Sequence, residues 1–426
     1  MKRNVWAVLV LSATLGRGAA QAESAVAYEN GRWFTGTAFE SRTMYVAEGR
    51  FVARPRRIAS VVDLKGGHVV PPFAEAHNHN LEPGKRVDAV IRDYARAGVF
   101  YVQNPNCLPE ARAALQEILA RPAAPEATFA SGGLTGPGGH PLELATRNIA
   151  RGFWAAKDGE GAFFFAVRDA SALHEVWPAL LRARPDFVKV LLLYSEEYAA
   201  RLADPATLGW RGLDPSLVPS IVARARAADL RVVAHVETAA DFHVAVDAGV
   251  DQIAHLPGFR GDEKTALPDV GRYEIQEADA RRAARRGTVV VTTVSGLARY
   301  ADERKDGALR EAADALQRRN LMLLKKHAVP LAIGSDEYRD TSVQEALYLH
   351  ALGVFDAAEM LRIWTETTPR AIFPKRRLGR LARGYPASFL VLEGDPLADF
   401  SNVTRIRLRV KHGQTLVLED EEKGGL

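Results

Sequence analysis

From about Ala25 to Val70 the chain alternates short apolar and polar positions between Gly and Asn breaks, in ENGRWFTG, SRTMYVAEGRFV and IASVVDLKGGHVV. That two-residue period predicts strands and turns. From about Pro71 to Pro374 the pattern changes. Apolar runs (GVFYVQN, ATFASGG, DFVKVLLLYS, LRVVAHVE, VDQIAHLPG, GTVVVTTVSG and VPLAIGSDEY) alternate with helix-period segments such as DAVIRDYARAG, PSLVPSIVARARAADL, TAADFHVAVDAG and LREAADALQRRNLMLLKKHA. With the strand leading into His77 there are eight β units, and eight β/α units over about 300 residues predict a TIM-type (β/α)8 barrel, an α/β fold spanning residues 71–374. Beyond Phe373 the strand pattern returns in ASFLVLEG and VTRIRLRVKHGQTLVLED. The two β-rich ends, 23–70 and 375–426, are expected to meet in one small β-sandwich.

Composition adds limits. At 426 residues with 47% hydrophobic and 25% charged, the chain can bury a large core and is ordinary for an enzyme-sized soluble protein. Residues 1–22 have the layout of a secretory signal: Lys2 and Arg3, an apolar stretch from Val5 to Leu15, and Ala20-Gln21-Ala22 before Glu23. The alternative, a membrane anchor, needs roughly 18 to 20 apolar residues, more than this stretch has. Cleavage after Ala22 would remove Lys2, Arg3 and Arg17 and no acid, taking the formal charge from +4 to +1. So little charge argues against a nucleic-acid partner, and the arginines of ADARRAARRG (278 to 287) suit a solvated helix face. Cys107 is the only cysteine, so neither an internal disulfide nor a cysteine zinc site can form. The expectation is an exported, periplasmic protein acting on a small molecule, not on the membrane after its leader is removed, with self-association left open.

Candidate chemistry sits where the apolar runs end, the position at which barrel active sites gather. His77 and His79, in PPFAEAHNHN, flank Asn78 and can turn toward one point, since alternate strand residues share a face. Lys189 interrupts an apolar run; His235 and His255 close two others at parallel places; Asp336 ends the eighth. Each also has a plain reading: loop or core histidines, a lysine that snorkels to solvent, an aspartate that caps the next helix. A buried lysine, however, costs several kcal/mol unless neutralised or paired, and burial lowers its pKa. A neutral amine can combine with CO2 to form an anionic carbamate whose two oxygens suit a pair of cations.

Taken together, these residues resemble the amidohydrolase superfamily, in its binuclear type with a carboxylated lysine and near its imidazolonepropionase-like and dipeptidase-like members. The resemblance covers nearly all of the mature chain. It includes the closing stretch TTPRAIFPKRRLGRLARGYPASFLVLEGDPL, similar to the family's Thr-x-x-x-Ala, Gly-x-Leu, Gly-x-x-Ala-Asp and Asp-Pro-Leu pattern. It implies that His77, His79 and Asp336 hold the more buried metal, that His235 and His255 hold the more exposed one, and that a carbamate on Lys189 bridges two divalent ions, zinc by default. Asp336 would also shuttle a proton. Three positions depart from the pattern: Pro72 for a glycine, Glu75 for an aspartate and Ser388 for an aspartate, none of them a ligand. His140, in TGPGGHP, could bond a substrate carbonyl or carboxylate, or be an ordinary loop histidine. Tyr194 could turn its hydroxyl to the mouth or pack at the rim, and Arg339 could meet a substrate carboxylate. The activity implied is metal-dependent hydrolysis of an amide-type C–N bond in a dipeptide, N-acyl amino acid or cyclic amide. Lactone or ester hydrolysis, or decarboxylation, is the alternative on the same site, and a non-catalytic binding protein comes last.

Overall fold

The computed structural model describes residues 25–83, 86–260, 267, 269–338 and 340–418; the expected leader and Arg339 lie outside them. The first β-rich end forms β1 (Ala25–Phe34), β2 (Phe39–Ala47), β3 (Arg50–Val52), β4 (Ile58–Asp63) and β5 (His68–Val70). The middle forms β6 (Phe73–Glu75), β7 (Val99–Asn104), β8 (Glu126–Phe129), β9 (Gly133–Thr135), β10 (Phe164–Ala166), β11 (Phe187–Leu191), β12 (Arg231–His235), β13 (Gln252–Ala254), β14 (Val289–Val291) and β15 (Leu331–Ala332). The last end adds β16 (Phe389–Leu392), β17 (Ile406–Lys411) and β18 (Gln414–Thr415). Among the described residues no helix is long and apolar enough to cross a membrane.

The two chain ends do combine. They form one eight-stranded sheet in the order β18-β17-β16-β5-β1-β2-β3, with β4 also on β1. The layers of the expected sandwich are thus one sheet by hydrogen bonding. The reason is β1, whose first half runs parallel to β4 while Arg32 and Trp33 run parallel to β5. Phe389 of the C-terminal end packs on Tyr28 and Trp33 of the N-terminal end, with ring centres 5.0 and 5.3 Å apart.

The middle strands are all parallel and lie in two arcs, β6-β7-β8 and β10-β9-β11-β12-β13-β14-β15. Isolated backbone bonds join the arcs, among them Asp186 N–H to the Phe129 carbonyl (2.8 Å) and Ala76 N–H to the Ile333 carbonyl (2.8 Å). Alternation then sets what faces inward. On β11, Val188 and Val190 pack outward in the main core, while Phe187 meets Val233, Ala254 and Ala130 inside. Lys189, two residues on, therefore points inward too, opposite Val233 in register. His235 ends β12 on the same inner side, opposite Ala254. The predicted helices are present; that at Ala239–Ala248, for example, starts on a Thr238–Asp241 capping box and stops at Gly249 in the left-handed region.

One predicted strand differs. ATFASGG breaks into β8 and β9, and β10, which alternation did not single out, joins β9. Gly132 makes the break: its φ is +76°, and an added Cβ would lie 2.3 Å from the Phe165 ring. Gly132→Ala should therefore destabilise the protein by about 1–3 kcal/mol, read from urea unfolding. An unchanged midpoint would show that the bend tolerates a side chain.

Candidate metal centre

Six of the predicted residues meet at the C-terminal ends of the inner strands. The Nε2 atoms of His77 and His79 stand 3.4 and 3.3 Å from the same Oδ1 of Asp336. The His77 and His255 ring centres are 4.5 Å apart, as are those of His235 and His255. One donor atom from each of His77, His255 and Asp336 lies within 4.8 Å of the others. That trio crosses the expected division of ligands between two ions. The backbone is turned to achieve this: φ is +80° at His255 and +54° at Asp336, left-handed values that side chains rarely adopt and that cluster at functional sites.

Lys189 is the least ordinary member. It is 4% exposed, and its Nζ has no hydrogen-bond partner. Burial, only partly opposed by Asp336, lowers its pKa to about 7. Burial also lowers His77 to about 3, aided by Lys189, so the ring is a neutral donor at ordinary pH. Burial pushes the Asp336 carboxyl up, but His77, His79 and His255 outweigh it and hold the group well below the usual carboxylate range. A partnerless amine beside neutral imidazoles and an ionised carboxylate is a donor set that fits divalent cations.

A second ring of side chains orients these donors, as metal-binding histidines require. His255 Nδ1 bonds Thr293 Oγ1 (2.7 Å), turning Nε2 inward, and its ring stacks on Phe259 at 3.9 Å. His235 Nε2 bonds Glu237 Oε1 (2.9 Å), which leaves Nδ1 for the centre. Glu237 is fully buried and also binds Arg260. Glu75 accepts from His77 N (3.1 Å), Ser335 N (2.9 Å) and Ser335 Oγ (2.7 Å), although burial pushes its pKa up to about 8. Sequence reading treated Glu75 only as a departure and missed Glu237. The available signal for Glu237 was its place two residues after His235, the same spacing that drew attention to His77 and His79.

The centre floors a cavity of about 270 Å3. His140 lines it, stacked on His235 at 5.4 Å, with Nδ1 donating to Glu143 Oε1 (2.5 Å). Tyr194 is not brought to the cavity. Its backbone is left-handed (φ +54°), its N–H bonds Asp241, and its ring lies 3.6 Å from the Arg201 guanidinium carbon and 4.8 Å from that of Arg272. The strand alternation that would aim it at the mouth has ended by then, so packing at the rim is the role its surroundings give it. Tyr338, which sequence reading passed over, stacks on His79 at 5.4 Å and lines the cavity.

Residues 211–416 match the model of the amidohydrolase family. No curated protein matches the chain in sequence. In fold, the chain is similar to an amidohydrolase crystal structure, with 21% identity, a TM-score of 0.71, and 93% of this chain and 100% of that one covered. It is also similar to a prolidase complexed with N-methylphosphonate-L-proline (18%, TM-score 0.67, 92% and 99% covered) and to a Xaa-Pro dipeptidase with methionine bound in its active site (17%, TM-score 0.69, 92% and 100% covered).

A buried lysine with a lowered pKa leaves a signature in stability. Between about 7 and its ordinary 10.5, the unfolded chain holds a proton that the folded, metal-free protein does not. Lys189 should therefore make stability rise with pH across that window, by up to about 1.4 kcal/mol per pH unit, and should make no pH-dependent contribution above it. Lys189→Met should flatten the rise and be the more stable protein near pH 7, measured by urea unfolding at stepped pH in chelator. An identical slope in the variant would show that the amine is not neutralised by folding.

Proposed function

Because the chain belongs to the amidohydrolase superfamily, we propose that it is a metal-dependent hydrolase cleaving an amide-type C–N bond, in a dipeptide, N-acyl amino acid or cyclic amide, on a (β/α)8 barrel flanked by a small β-sandwich. The observation that carries the reading is the buried, partnerless Lys189 amine among four imidazoles and the Asp336 carboxylate. In our reading the Lys189 lone pair attacks CO2, a new N–C bond forms and one N–H proton leaves to solvent. The resulting carbamate is anionic. It would join His77, His79, His235, His255 and Asp336 in holding two divalent cations, with zinc suited to nitrogen and oxygen donors. Bound there, such ions supply Lewis acidity and lower the pKa of water toward neutrality.

The chain's own groups do the rest. Asp336, ionised and facing both His77 and His79, accepts the proton of the attacking water on a carboxylate oxygen and returns it to the leaving nitrogen. His140 faces the cavity and, as an imidazolium paired through Nδ1 with Glu143, would donate from Nε2 to the carbonyl oxygen as charge develops there. Phe163 and Trp210 narrow the cavity and limit water around the reacting bond. The similar folds of a prolidase and a Xaa-Pro dipeptidase support the dipeptide end of this range.

Metal analysis of the purified protein should find about two ions per chain. Lys189→Ala should lower that content and abolish turnover of dipeptides and N-acyl amino acids. Full metal and full activity in Lys189→Ala would dismiss the carbamate-bridged centre.

A further inference from the structure

Two guanidinium groups line the cavity above the centre, and they are not equivalent. Arg260 is already balanced. It binds the buried carboxylate of Glu237, and its guanidinium carbon lies 5.1 Å from the Trp210 ring centre and 5.3 Å from that of Phe259. Arg147 stands on the helix Leu142–Ala150, one turn after Glu143, and is exposed. Glu143, its partner by helical spacing, is instead bonded to His140. Arg147 makes no ion pair or side-chain hydrogen bond among the described residues. One wall of the cavity thus carries a cation that has no ion pair among the described residues.

The third polar group there is the Tyr338 hydroxyl. Its ring is fixed on His79, and both Arg147 and Arg260 lie near enough to act on its charge. Its hydroxyl can donate one O–H bond. Two guanidiniums and a phenol converging from one side form a donor set for a carboxylate, which accepts several such bonds at once. Leu144, Phe163, Leu191 and Trp210 give the rest of the wall an apolar surface, beside the polar Asn106, His140 and Glu143. An uncharged amide or urea would leave the Arg147 charge unused.

We infer that the substrate bears a free carboxylate, held between Arg147 and Arg260 beside Tyr338, and an apolar side chain resting on Leu144, Phe163 and Trp210. This rests on the hydrolase reading and narrows it to carboxylate-bearing amides, N-acylated apolar amino acids and dipeptides foremost, with amides that lack a carboxylate excluded. Arg147 supplies the charge that Arg260, spent on Glu237, does not.

The test compares N-acetyl-L-phenylalanine with N-acetylphenethylamine, the same molecule with hydrogen in place of the carboxylate, on metal-loaded protein. The acid should be cleaved with a kcat/KM at least about a hundredfold higher. Arg147→Met should raise KM for the acid about tenfold or more and narrow that preference, and Arg147→Lys should recover part of it. Equal cleavage of the two compounds, with a preference unmoved in Arg147→Met, overturns the carboxylate subsite and leaves the hydrolase reading standing. If neither is cleaved, calorimetric binding of the same pair decides the inference separately. Acid-selective binding that weakens in Arg147→Met supports the subsite, and binding without that selectivity, or none, overturns it.

Discussion

Between the first and last inner strands there is no continuous ladder, and the loops that leave them carry three of the candidate ligands. What holds this seam is a set of contacts to buried or half-buried acids. Asp336 faces His77 and His79 from the far side, and Glu75 takes backbone and hydroxyl bonds from Ser335 as well as the His77 amide. Two direct backbone bonds, Asp336 N–H and Ser335 N–H to the His77 carbonyl, complete it (2.8 and 3.2 Å). Removing Glu75 would strand several buried donors at once, and each unsatisfied group costs about 1–3 kcal/mol. The geometry of the centre therefore depends on a buried acid that does not line the cavity.

The same device recurs around the rim. Asp241 accepts from the backbone of Tyr194, Ser195, Glu237 and Thr238, tying the loop after β11 to the loop after β12. Glu345 accepts from Val294 and Ser295, tying the loop after β14 to the helix after β15. Strands hold one another through their ladders, but loops that carry chemistry leave the ladder and need other acceptors. Buried acids supply them, and in doing so fix backbone turns that side chains otherwise avoid.

Much of this was legible in the sequence because two periodicities carry it. The pleat aligned Lys189 with Phe187 on one inner face, and the recurrence of histidine, lysine or aspartate near the ends of five of the eight apolar runs marked where the chemistry gathers. What stayed hidden depends on contacts with no local signature. Glu75 and Ser335 are 260 positions apart, so no pattern near either reports their bond. Tyr194 was read by extending a strand past its end, where a left-handed residue had already turned the chain. The bend at Gly132 was written in the sequence as a glycine pair, but its meaning needed Phe165, which arrives from a strand that alternation did not single out. Arg147 and Tyr338 carried no motif at all; only the shape of the cavity relates them.

The outer sheet has a consequence for how the chain is made. Its strand β5 pairs with β1 on one side and with β16 on the other, and β16 lies more than three hundred residues downstream. During synthesis the β5 edge waits, with open amide and carbonyl groups, until β16 has left the ribosome. A chain cut short before Phe389 would keep every candidate ligand yet expose that edge together with Tyr28 and Trp33. An open edge of that kind invites pairing with other chains.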